Sequence, residues 1–88
     1  MEELLKQIGI NKRGSLSKTG AYIIELNDFE EYVKFYNLLD KSSLLDELED
    51  NSQVTEHTTN VTYRTDEFLI NLLGDLDNDT YKLVCNRI

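Results

Sequence analysis

The feature that most constrains this chain is a change of hydrophobic period part-way along it. Residues 28–41 follow a helical repeat: Phe29, Val33 and Tyr36 fall at i, i+4 and i+7, and Tyr32 and Leu39 extend the stripe. Beyond Asn51 and Ser52 the pattern turns to Thr-rich and short apolar runs suited to strands. A helix with one apolar stripe must bury it, and a neighbouring sheet is the natural partner.

The other elements are read around that helix. Residues 2–8 form a short helix with Leu4, Leu5 and Ile8 on one side, and Gly9 suits its C-terminal cap. Residues 11–20 are a basic loop punctuated by Gly14 and Gly20. Residues 21–26 read as a strand with Tyr22, Ile24 and Leu26 sharing a face. Asp28 is placed to cap the long helix, with Glu31 three residues on. Ser43 is expected to cap a second short helix over residues 44–50. Residues 53–65 read as one polar strand, wet on at least one side. Residues 68–73 and 81–88 read as two more strands joined by an acidic hairpin loop, although 66–73 equally fit a helix capped by Asp66. The expected fold is therefore α+β in one domain, residues 1–88: a small antiparallel sheet of three to four strands with two to three helices packed on one face.

Charge narrows the function. Seventeen acidic residues against nine basic ones give a net charge of −8. The imbalance is uneven, because residues 1–18 hold four basic residues against two acidic ones. Such a chain is repelled by nucleic-acid phosphates and anionic membranes, and attracted to basic protein surfaces. Direct nucleic-acid or membrane binding is not expected. Cys85 is the only cysteine, so no intrachain disulfide is expected. No secretory leader and no membrane span are read, which makes the cytoplasm the expected compartment.

No catalytic or metal-binding constellation is read, and no cofactor is expected. Asp75, Asp77 and Asp79 match the first ligand positions of a calcium loop, but Thr80 stands at the invariant Gly and Asn86 at the bidentate Glu. His57 and Cys85 are too few for a usual zinc site, and as a nucleophilic pair they would have to meet in space beside an orienting group. Lys12, Arg13 and Lys18 lie in no phosphate-binding fingerprint.

Two acidic clusters remain as candidates: Asp46, Glu47, Glu49 and Asp50 on one segment, and Asp75, Asp77 and Asp79 on a loop. With Tyr63 as an aromatic anchor, they are expected to form a partner-binding surface. Aligned carboxylates of this kind imitate the spacing of nucleic-acid phosphates. In composition alone the chain resembles small phage and mobile-element inhibitors of host machinery, such as anti-CRISPR proteins and uracil-DNA glycosylase inhibitor. That resemblance covers no motif and transfers no residue role. The expected function is a non-enzymatic acidic inhibitor or adaptor that occludes a basic, nucleic-acid-binding surface of a host protein. The alternative is a homo-oligomer pairing through the polar edge strand 53–65.

Overall fold

The computed structural model describes residues 1–49 and 52–88. Its elements in chain order are α1 (Glu2–Ile8), β1 (Ser15–Leu16), β2 (Tyr22–Leu26), α2 (Phe29–Lys41), β3 (Asp46–Glu47), β4 (Gln53–Val54), β5 (Thr58–Arg64), β6 (Phe68–Asp75) and β7 (Thr80–Arg87). The strands form one seven-stranded sheet in the order β1-β2-β7-β6-β5-β3, with β4 also paired to β5. Every pairing is antiparallel. The expected sheet of three to four strands with two to three helices is thus overturned: among the described residues the sheet has seven strands and dominates, with two α-helices beside it.

Short strands account for most of the difference. The expected helix over 44–50 is instead extended at Asp46–Glu47, where it pairs with Arg64 and Tyr63. The expected single strand over 53–65 is a hairpin, with β4 folding back on β5. The Thr55 hydroxyl accepts from the backbone N–H groups of His57 and Thr58 and closes the turn between them. Strands of two residues have no period of their own. They form here because the outer edge of β5 would otherwise leave backbone N–H and C=O groups unpaired. The strip between β3 and β4 serves the same edge: Leu48 N–H donates to the Thr62 carbonyl, and Thr62 N–H donates to the Ser52 hydroxyl.

The core lies on one face of the sheet. Cross-strand register builds it in three rows: Leu26, Tyr81, Gly74 and Thr59; Ile24, Leu83, Leu72 and Val61; Tyr22, Cys85, Ile70 and Tyr63. Ile24, Leu83 and Leu72 in the middle row are fully buried. Gly74 sits where a Cβ would lie 2.7 Å from Thr59 and 2.9 Å from the Tyr81 ring, so only glycine lets those side chains fill the row. Residues 66–73 therefore belong to a strand and not a helix, because alternate residues Phe68, Ile70 and Leu72 are buried while their neighbours are half-buried.

Both helices contribute to this single core. Asp28 accepts a hydrogen bond from Glu31 N–H at the start of α2, and Glu31 accepts one from Asn27 N–H. Lys12 donates to the same Glu31 carboxylate and ties the basic loop to the helix. α1 ends at Gly9, whose φ of 105° lets its N–H and that of Ile10 reach back to the carbonyls of Lys6 and Leu5. α2 buries Tyr32, Phe35 and Leu39. The stripe read from the sequence is rotated from this one. Val33, expected in the core, is exposed, Tyr36 is half-buried, and Phe35 takes the buried position.

A candidate protein-docking surface

α2 carries more apolar side chains than the core accepts. Phe29 and Val33 remain 48% and 37% exposed, and with half-buried Tyr36 they make a second stripe beside the buried one. Opposite them stands Val54 of β4, 76% exposed. Between helix and strand edge runs a groove of about 400 Å³, floored by Tyr32, Thr59 and Val61 and flanked by Val33, Tyr36 and Val54. Glu47 and Glu49 form its rim, with Ser52.

The groove continues into an aromatic stack at the start of α2. The Phe29 ring lies 5.7 Å from Tyr32, nearly parallel, and 5.8 Å from Tyr81, edge-on. Tyr32 is fixed by a 2.8 Å hydrogen bond between its hydroxyl and that of Thr59, and burial raises its pKa. Burial also raises the Tyr81 phenol, and the neighbouring Asp79 carboxylate adds to the shift. Phe29 is thus held against two fixed rings with its other face toward water. Interface anchors have this character: large, rigid and half-exposed.

The sequence-derived site residues are dispersed around this surface. Asp46 and Glu47 pair with Arg64 and Tyr63 at one end of β5, whereas Asp75 pairs with Thr58 at the other. Six residue steps along a strand separate the two clusters by about 20 Å. They do not form one patch, but members of each flank the apolar groove: Glu47 and Glu49 along its side, and Asp79 beside the stack at its end. Asp50 lies outside the described residues. Asp75 accepts from the Asn78 backbone and side-chain N–H groups and shapes the hairpin loop, which holds its carboxyl below the usual range. Asp77 points to His57 Nδ1 at 2.9 Å and links the two hairpin turns.

Tyr63 cannot serve as an exposed anchor. It is 1% exposed, its hydroxyl has no hydrogen-bond partner among the described residues, and burial raises its pKa strongly. Alternation along β5 puts it on the core face, and Thr-rich composition concealed how much of that strand is covered on both sides. Cys85 is buried in β7, its thiol pushed up to about 12 by burial. His57 sits in the distant β4–β5 turn, so the two are not brought together. Among the described residues no group of three or more His, Cys, Asp or Glu side chains is placed to hold a metal. None of the described helices is long and apolar enough to cross a membrane.

The anchors Phe29, Val33 and Val54 were missed as surface residues by sequence reasoning. The available signal was an apolar excess on α2: two overlapping stripes where one suffices for a core. No family model, curated protein or solved structure matches this chain.

Proposed function

We propose that the protein is a non-catalytic binding domain that docks a basic, apolar-bearing segment of another protein into the groove between α2 and the β3–β4 edge. The observation that carries this reading is the coincidence of two features. The groove and its aromatic extension expose Phe29, Val33 and Val54, and their margin carries Glu47, Glu49 and Asp79. The apolar strip supplies affinity by burial, while the carboxylates steer a cationic partner and set its register. Where such a segment belongs to a nucleic-acid-binding surface, docking would occlude that surface sterically.

The alternative, a homo-oligomer pairing through an edge strand over 53–65, keeps only a short part of that edge. Residues 58–64 are internal to the sheet, and β4 contributes only Gln53 and Val54 to the edge.

The test is a titration of isotope-labelled protein with a synthetic peptide alternating Lys or Arg with Leu, followed by amide chemical shifts. Shifts should concentrate at Phe29, Val33, Glu47, Glu49 and Val54. Glu47→Lys with Glu49→Lys should weaken binding, most at low salt. Equal perturbation at the remote carboxylates Glu2, Glu3, Asp66 and Glu67, with no preference for the groove, would overturn the reading.

A further inference from the structure

The two edges of the sheet are chemically complementary. β1 forms one edge, and β3 with β4 forms the other. The β1 edge carries Leu16, 74% exposed, on a segment that also presents exposed Arg13 and Lys18. Among the described residues neither cation takes part in an ion pair. The opposite edge carries Val54, 76% exposed, beside the apolar groove with its Glu47 and Glu49 rim. These are the two most exposed large hydrophobic residues of the described chain.

Register places them on the same side of the sheet. Leu16 pairs with Tyr22, and Val54 pairs with Thr59, and both partners face the core. If the β1 edge of one copy is set against the β3–β4 edge of another with the sheets continuous, Leu16 falls on the groove side next to Val54. The cations of the loop then come toward carboxylates.

We propose that the groove's occupant is, in the absence of another partner, the β1 edge of a second copy, so that the protein associates head to tail. This rests on the docking reading above and names one occupant for it. The contact is heterologous: each copy keeps one free edge of each kind, so assembly extends or closes into a ring. Opposite local charges draw the edges together despite the overall −8.

The experiment uses the full chain and two exposed-site variants, Leu16→Asp and Val54→Asp, in sedimentation velocity and light scattering. Wild type should gain mass with concentration and lose it with added salt. Each variant alone should stay monomeric, because each lacks one half of the contact. An equimolar mixture should give a 1:1 pair and nothing larger, since the intact edge of Val54→Asp meets the intact groove of Leu16→Asp. Wild type that is monomeric at about 1 mM overturns the inference, as does Leu16→Asp that associates like wild type or a mixture that fails to pair. Titrating Leu16→Asp with the basic peptide keeps the two proposals apart. Peptide binding in the groove of Leu16→Asp while wild type stays monomeric removes only the head-to-tail contact, whereas a monomeric wild type together with no peptide binding removes the docking reading too.

Discussion

Two substitutions two residues apart, on opposite sides of α2, separate its buried face from its docking face. Phe35→Ala removes a ring that is 4% exposed at the helix–sheet contact. Truncations of this kind cost about 3–5 kcal/mol, from lost transfer energy and the cavity left behind. A chain of this length has net stability of roughly 4–13 kcal/mol. At about 4–8 °C per kcal/mol, the loss corresponds to a Tm lower by roughly 12–40 °C. Val33→Asp should behave differently. Val33 keeps more than a third of its surface in water, so its replacement forfeits only about 1 kcal/mol of burial. Valine and aspartate also have similar helix propensities. Thermal and urea unfolding followed by far-UV circular dichroism would measure both. Docking of a basic peptide should be lost in Val33→Asp, which remains folded. If Val33→Asp destabilises as much as Phe35→Ala, the helix faces the sheet with the stripe read from sequence, and the groove is not an exposed surface.

Three further predictions follow from single groups. Tyr63→Phe should leave Tm unchanged or raise it, because the hydroxyl is buried without a partner among the described residues and such a group costs about 1–3 kcal/mol; a marked fall in Tm would show that the hydroxyl is satisfied. Cys85 should resist thiol reagents in the folded protein, since burial and a pKa pushed up to about 12 leave almost no thiolate; labelling at the rate of unfolded protein would contradict its placement. The Lys12 ammonium, followed by Asn27 N–H, holds the Glu31 carboxyl below its ordinary 4.5, so its stabilising effect is fully present above 4.5 and is lost as pH falls from there through the lowered folded-state value. Lys12→Ala should therefore cost at most about 1 kcal/mol at neutral pH, both side chains being partly in water, with the gap to wild type closing in acid; a gap that widens in acid would reverse the sign of this coupling.

Where function is concerned, the sequence pointed to carboxylates and the structure points to what lies between them. Density of charge along the chain drew attention to two acidic clusters, of which the sheet holds Asp46 and Glu47 about 20 Å from Asp75 along β5. Charge is legible residue by residue, but a surface is a statement about neighbours in space. The exposed anchors were invisible for the same reason: Phe29, Val33 and Val54 are apolar, and nothing local distinguishes an apolar residue bound for the core from one left in a groove.

The sequence by itself determined the features that adjacent residues decide among themselves. Asp28 caps α2 through Glu31 N–H, Gly9 turns the end of α1 with a positive φ, and the Asp-rich stretch before Thr80 makes a turn. Each of these depends on hydrogen bonds or periodicities within a few residues. Only the tertiary structure decided the rest. β3 exists because β5 offers an unpaired edge where Asp46–Glu47 alone read as helix, and the same edge takes β4 as a separate strand where the sequence alone reads as one continuous strand over 53–65. Which of two apolar stripes on α2 is buried depends on where the sheet lies beneath it, and the sheet places Phe35 inward and Val33 outward. Tyr63 is hidden because its place on β5 turns it into the core. Contacts between residues far apart in the chain set all three outcomes, so local pattern could not report them.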